Sequence, residues 1–160
     1  MGKIKLSLEE WSRLAEEGTA IPITTPLRWV SMEPTIRVNR DPVTFVPIQR
    51  NLLPGDVVLF KRADGAYVCH RVYKILDGGN TILTWGDNAE YPDKPVPRSS
   101  VMGLAVAFER DGELIDLDND EQRRKGLTWL KSKWKRPAFI QYRKMRLKMG
   151  NAARKIGLIK

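Results

Sequence analysis

Apolar residues recur with two different periods along the chain, and the helical period comes first. Leu8 and Trp11 lie three residues apart, which places them on one face of a helix. Ser7 and Glu10 have the spacing of a capping box, in which each side chain bonds the backbone of the other residue. The pattern therefore predicts a short N-terminal helix over residues 8–17.

After this helix the pattern changes to short β-branched runs that are separated by Pro, Gly, Asn and Asp. Such runs are typical of strands in a small antiparallel β-domain. Turns that contain Gly and Asp connect several of them and predict hairpins. The predicted strands are 43–47, 56–61, 67–75, 81–85, 101–109 and 114–117, and the predicted turns are 63–66, 77–80 and 110–113.

Composition supports one folded domain with an extension. The chain has 160 residues, and 42% of them are hydrophobic, which is enough to fill a core. We expect a mainly β fold: an N-terminal helix in residues 1–20, a compact, coiled antiparallel β-domain in residues 21–120, and a basic amphipathic extension in residues 121–160. Residues 1–120 carry 14 Lys and Arg against 18 Asp and Glu, whereas residues 121–160 carry 14 against one. The net positive charge therefore belongs to the extension.

The basic extension predicts two helical segments with an interruption at Pro137. Leu127, Leu130 and Trp134 fall on one helical face among Lys and Arg residues. Such segments lie on anionic lipid in some proteins and pack their apolar stripes on a neighbouring domain in others. Both interpretations stay open here. Nucleic-acid binding ranks lower because the extension has no base-reading motif.

Cysteine use and hydropathy give an expectation for location. Cys69 is the only cysteine, so it forms no internal disulfide and builds no metal finger. No apolar stretch approaches the roughly 20 residues that span a bilayer. Charged residues interrupt the N-terminal segment where a signal peptide would need an apolar core. We therefore expect a cytoplasmic protein, without a transmembrane segment, that sits at most peripherally on a membrane.

Candidate chemistry centres on His70, the only histidine in the chain. In a strand over residues 67–75, alternation puts His70 on one face and Cys69 on the other, which disfavours a Cys–His pair. Ser31 lies in a turn-prone stretch, and a serine nucleophile needs a base such as an imidazole. Asp87 and Asp93 follow the strand predicted beside His70, so either carboxylate could orient the imidazole.

The order of these segments resembles the serine peptidase superfamily S24/S26, which contains type I signal peptidases and self-cleaving phage-type repressors. The match is closest to the signal-peptidase branch that uses histidine as the general base. Each box resembles one family segment in the family's order. The boxes are Ser31-Met32-Glu33-Pro34-Thr35 (S-M-x-P), Leu53 to Phe60 (G-D followed by a hydrophobic strand), His70-Arg71-Val72 (H-R-V), and Gly86-Asp87-Asn88 with Asp93 and Val101-Met102-Gly103 (G-D-N…D…V-x-G).

The resemblance implies a role for each matching residue. Ser31 would be the nucleophile, with its own backbone N–H in the oxyanion hole, and His70 would be the general base. Asp93 matches the carboxylate usually assigned to the triad, with Asp87 as the second candidate. No metal and no cofactor is implied.

Three neighbours of the nucleophile are expected to contact the substrate: Trp29, Met32 and Pro34. Trp29 departs from the family pattern, which usually has Gly or Ser two residues before the nucleophile. This departure affects the oxyanion hole, the adjacent substrate pocket, or both.

The predicted function is cleavage of a peptide or protein precursor through an acyl-enzyme. Two other interpretations remain. One is a non-catalytic peptide-binding module on the same scaffold, and the other is an adaptor that binds a membrane or nucleic acid through the basic extension.

Overall fold

The computed structural model describes residues 7–17, 22–27 and 30–155. This part of the chain is mainly antiparallel β-structure with three α-helices. The strands are β1 (Ile23–Pro26), β2 (Pro42–Pro47), β3 (Val57–Lys61), β4 (Tyr67–Leu76), β5 (Thr81–Trp85), β6 (Val96–Pro97), β7 (Val101–Arg110) and β8 (Glu113–Asp116). The helices are α1 (Leu8–Glu16), α2 (Asp120–Leu130) and α3 (Lys135–Lys155). The mainly β class is confirmed, whereas the signal-peptidase-like arrangement stays a prediction.

All eight strands join one curled sheet in the order β1-β2-β7-β3-β4-β5-β6, with β8 also paired to β7. The six predicted strands agree with β2, β3, β4, β5, β7 and β8 to within one residue at each end. The predicted turns are also present, and Gly65 and Gly112 adopt the positive φ angles that such turns require. The pattern did not predict β1 and the two-residue β6, which are short edge strands.

The two faces of the sheet bury two separate apolar clusters. Cys69 lies in the first cluster, with Trp11 and Phe45, while Val72 lies in the second cluster, with Phe60. Successive residues of β4 therefore point to opposite faces, as its alternation predicts. Burial raises the pKa of the Cys69 thiol, and the nearby Asp87 charge raises it further, so Cys69 is a packed, inert side chain.

Helix α1 covers the first cluster by inserting Trp11 against β7. The capping box is formed, with the Glu10 N–H donating to Ser7 Oγ at 3.1 Å and the Ser7 N–H donating to Glu10 Oε2 at 2.8 Å. Trp11 is completely buried, and a Cβ added at Gly103 would lie 2.6 Å from its ring. The helix approaches the sheet this closely only because position 103 has no side chain.

The basic extension packs on the β-domain. Leu130 and Ile140 are buried, and a Cβ added at Gly126 would lie 2.1 Å from Arg71 Cζ of β4. The expected break at Pro137 is wrong: α3 begins at Lys135, and proline is tolerated in the first turn, whose N–H groups have no intrahelical partner. Trp134 falls in the connection between α2 and α3 and is 85% exposed, so it does not share the buried face of Leu130. No helix in the described ranges is long and apolar enough to cross a membrane.

Two helical glycines give a matched test of this packing. We expect Gly126→Ala to lower the free energy of unfolding by about 1–3 kcal/mol, because the Arg71 guanidinium beside it is held by hydrogen bonds and cannot withdraw. Gly150→Ala in α3 meets no atom within 4 Å and should leave stability unchanged or raise it by up to about 1 kcal/mol. Urea unfolding of both variants measures the difference. Equal effects would contradict the close packing of α2 on Arg71.

Candidate active site

His70 and Asp93 form a direct pair on the β4–β5 side of the sheet. His70 Nδ1 lies 2.5 Å from Asp93 Oδ2, and the Thr84 hydroxyl of β5 donates to the same oxygen at 2.7 Å. The Asp93 N–H donates to the Thr84 carbonyl at 2.9 Å, which fixes the aspartate beside the strand. Burial raises the pKa of Asp93, but the hydrogen bonds from His70 and Thr84 outweigh this and hold it below its usual value. The carboxylate is therefore ionised at neutral pH.

Ser31 lies in a single 3-10 turn, Val30–Met32, that Asn88 holds against the loop after β5. The Asn88 N–H donates to the Ser31 carbonyl at 2.8 Å, and Asn88 Nδ2 donates to the Val30 carbonyl at 3.1 Å. The Glu33 N–H donates to the Val30 carbonyl at 3.1 Å, which closes the turn. Ser31 is partly exposed. Asn88 thus positions the serine turn, a role that the sequence did not reveal.

Gly86 brings the serine turn and the imidazole together. A Cβ added at Gly86 would lie 2.9 Å from His70 Nε2 and 2.9 Å from the Ser31 carbonyl oxygen, so both atoms flank the same point. Among the described residues, the Ser31 hydroxyl has no hydrogen-bond partner, and His70 Nε2 does not yet bond it. Catalytic hydrogen bonds are often long until a substrate is bound. The arrangement thus places the free imidazole nitrogen beside the serine turn.

Asp87 bonds Arg71 and Thr35, and among the described residues no hydrogen bond joins its carboxylate to His70. Arg71 Nε and Nη2 donate to the two Asp87 carboxylate oxygens at 3.0 and 2.8 Å, and the Thr35 hydroxyl donates to Oδ2. Arg71 Nη1 also donates to the Gly55 carbonyl at 2.8 Å. The Arg71 and Asp87 side chains are almost completely buried. Of the two aspartates left open by the sequence, the structure therefore brings Asp93 to the imidazole and gives Asp87 a structural partner.

The basic extension closes over the loop that follows β5. Trp129 Nε1 and Arg136 Nε donate to the Asp87 carbonyl at 2.9 and 3.2 Å, and Arg136 Nη2 donates to the Ala89 carbonyl. The Arg136 guanidinium also lies 4.3 Å from the centre of the Trp85 ring. Carbonyl groups of this loop would otherwise be buried without partners. The extension thus fixes the loop that carries Gly86 and Asn88.

Two ion pairs anchor α3 to Glu33, which follows the serine turn, and to Glu90, which lies in the loop after β5. Arg143 Nη2 lies 2.7 Å from Glu33 Oε2, and Lys144 Nζ lies 2.7 Å from Glu90 Oε2. Glu33 is only two residues from Ser31, so α3 runs beside the candidate site. Sequence reasoning missed these contacts because they join residues more than 50 positions apart.

The structure places two of the three residues that were predicted to contact substrate in different surroundings. Met32 is completely buried in the first apolar cluster, where it packs the core, and its contact with substrate stays a prediction. Pro34 follows a cis peptide bond and is partly exposed. Trp29 lies outside the described residues.

A cavity of about 900 Å³ opens on the Asp93 side of the pair. Its walls come from the β3–β4 hairpin, the segment before and through β6, and the start of β7. The lining includes Phe60–Asp64, Asp93–Pro97 and Ser99, Ser100 and Met102. Among the described residues, no group of three or more His, Cys, Asp or Glu side chains is placed to hold a metal ion.

The two aspartates should differ in what their loss does to stability. Asp87→Asn leaves the buried Arg71 guanidinium without its counter-charge, and we expect it to cost about 3–5 kcal/mol. Asp93→Asn should cost less at neutral pH, because the Asp93 side chain is 19% exposed.

Acid unfolding distinguishes the same variants. The lowered pKa of Asp93 means that its stabilising effect is present above its unfolded value, about 3.9, and is lost as the pH falls through the folded value. Asp93→Asn should therefore flatten part of the stability decline below about pH 4. Urea unfolding near neutral pH and in acid measures both effects. A larger neutral-pH cost for Asp93→Asn would contradict the assignment.

Comparison with known proteins adds no family to these observations. No protein-family model matches the chain, and neither a curated protein nor a solved structure matches it. Membership of the S24/S26 superfamily therefore stays a prediction from four short sequence boxes. The geometry adds an independent observation, which is a His–Asp pair whose free imidazole nitrogen lies beside a serine turn.

Proposed function

We propose that this protein is a serine peptidase that cleaves a peptide or protein precursor through an acyl-enzyme. Ser31 is the nucleophile, His70 the general base and Asp93 the residue that orients the imidazole. The observation that carries the proposal is the 2.5 Å contact between His70 Nδ1 and Asp93, together with the position of His70 Nε2 beside the Ser31 turn.

The Asp93 contact decides which imidazole nitrogen acts as the base. An ionised carboxylate only accepts hydrogen bonds, so the proton of a neutral imidazole resides on Nδ1. Nε2 then carries a lone pair on the side of Ser31. It can remove the Ser31 hydroxyl proton as Oγ attacks the scissile carbonyl, and can deliver that proton to the leaving amine. A water molecule activated by the same nitrogen would hydrolyse the acyl-enzyme and release Ser31.

The oxyanion of the tetrahedral intermediate needs hydrogen-bond donors close to Ser31. The Ser31 backbone N–H is the first candidate, as the sequence resemblance implies. Asn88 supports this role indirectly, because its two hydrogen bonds to the turn fix the orientation of the Ser31 peptide group. Asn88 is therefore a positioning residue in this proposal.

The cavity beside Asp93 supports a peptide as the substrate. A volume of about 900 Å³ accommodates several residues of an extended chain. The exposed Lys61 and Lys94 at its walls could pair with acidic groups of the substrate, while the exposed Pro95 and Pro97 contribute apolar surface.

Acylation and peptide cleavage test the proposed nucleophile and base. We expect the wild-type chain to form a covalent adduct with a fluorophosphonate or penem probe and to cleave members of a peptide library. Ser31→Ala and His70→Ala should each lower the cleavage rate by about a thousandfold or more. Intact-mass spectrometry detects the adduct, and peptide mass spectrometry detects cleavage.

Ser7→Ala provides the matched control, because Ser7 is an exposed serine of the α1 capping box, outside both the cavity and the serine turn. It should label and cleave like the wild type. Cleavage that persists in Ser31→Ala would overturn the mechanism. A wild-type chain that neither labels nor cleaves, but binds peptides saturably, would establish the alternative of a non-catalytic binding module.

A further inference from the structure

Helix α3 presents an apolar stripe to solvent. Ala138, Tyr142, Met145 and Met149 repeat at intervals of four, three and four residues, which aligns them along one face. All four are exposed, and Met145 and Met149 are 54% and 63% exposed. The stripe is not the face with which α3 packs on the β-domain, since that face carries the buried Arg136 and Ile140.

Trp134 immediately precedes α3, and its carbonyl accepts a hydrogen bond from the Ala138 N–H at 3.2 Å. It lies four residues before Ala138 and is 85% exposed. Tyr142, Met145 and Met149 share one helical face, and with Trp134 they place four exposed large apolar side chains within 16 consecutive residues. Contiguous patches of this kind mark interaction surfaces.

The charge around the stripe has a single sign. Lys135, Arg146 and Lys148 are exposed on α3, and no Asp or Glu occurs after Glu121 in the chain. A second copy of this helix would bring cations against cations, so self-association through the stripe is disfavoured. A partner for this face must provide negative charge for the cations and an apolar layer for the stripe.

We propose that the exposed face of α3 binds the surface of an anionic lipid membrane. In this arrangement Met145, Met149 and Trp134 enter the boundary between headgroups and acyl chains, while Arg146 and Lys148 contact lipid phosphates. A nucleic acid would satisfy the cations but leave the methionines without apolar partners. The binding needs no peptidase activity and can be tested separately from it.

The consequence for the candidate site follows from the ion pairs of α3. Arg143 and Lys144 hold the helix to Glu33 and Glu90, next to the turn that carries Ser31. A membrane-bound α3 would therefore hold the serine turn roughly one helix diameter, about 10 Å, from the headgroup layer. Peptide segments that emerge from the membrane surface would be within its reach.

Vesicle co-sedimentation of the full chain tests the inference. We expect binding to vesicles of phosphatidylcholine with about one-third phosphatidylglycerol, little binding to phosphatidylcholine alone, and weaker binding as salt is raised. Lys148→Gln should weaken binding about fivefold, which corresponds to about 1 kcal/mol for one basic residue. Lys74→Gln removes an exposed charge from β4, outside α3, and should have almost no effect.

A second pair of variants tests the apolar contribution to vesicle binding. The double variant Met145→Gln/Met149→Gln should weaken vesicle binding at least about fivefold. Leu114→Gln changes a 74% exposed residue of β8 and should leave vesicle binding unchanged. A blue shift of tryptophan fluorescence on anionic vesicles, lost in Trp134→Phe, gives a second readout that does not depend on sedimentation.

Three results would overturn the inference. The first is equal binding to neutral and anionic vesicles, or no binding to either. The second is unchanged vesicle binding by the methionine variant, together with tight oligonucleotide binding that Lys148→Gln weakens, which would identify a nucleic-acid surface. The third is a dimer in sedimentation velocity that the methionine variant converts to a monomer, which would assign the stripe to a second copy.

Discussion

The buried ion pair between Arg71 and Asp87 is the interaction on which the candidate site depends. It joins β4 to the loop after β5, and through Thr35 and Gly55 it also fixes the segments that follow the serine turn and precede β3. Removing two charges from water is costly, so the pair is stable only when each hydrogen-bonding group finds a partner. Gly126 of α2 lies directly against the guanidinium and seals the pair from solvent. Because His70 is adjacent to Arg71 in β4, the contacts that hold Arg71 also restrict the backbone position of His70.

The inner side of the basic extension helps to bury the Arg71–Asp87 ion pair. Its outer side faces solvent. Its inner side supplies Gly126, Trp129 and Arg136, which cover the ion pair and bond the carbonyls of the loop after β5. Its outer side keeps the methionine stripe and the exposed cations Arg146 and Lys148 in solvent. The two interpretations that the sequence left open, packing on the domain and contact with a membrane, concern opposite faces of one helix. Packing is observed, and membrane contact is the proposal that the remaining face supports.

Much of the fold follows from local signals. The capping box of α1, the alternation in β4 and the Gly-Asp turns gave element positions close to those observed, because propensity and turn chemistry act over a few residues. Alternation also separated Cys69 from His70 correctly. The sequence pattern does not predict the edge strand β6, because two residues are too few to show the alternation of a strand. The break at Pro137 was misplaced because proline stops a helix interior and not a first turn.

The sequence by itself determined six of the eight described strands, the turns, the separation of Cys69 from His70 and a short set of polar residues that could meet around His70. Only the tertiary structure decided how those residues pair. Strand alternation and turn position do not distinguish Asp87 from Asp93, and only the family resemblance ranks Asp93 first. In the structure they differ because Asp87 pairs with the buried Arg71, whereas Thr84 and His70 bond Asp93. Burial is a property of contacts between distant segments. Only the tertiary structure therefore shows that Met32 lies in the core, that Arg136 bonds the carbonyls of the loop after β5, and that the methionines at 145 and 149 lie in solvent.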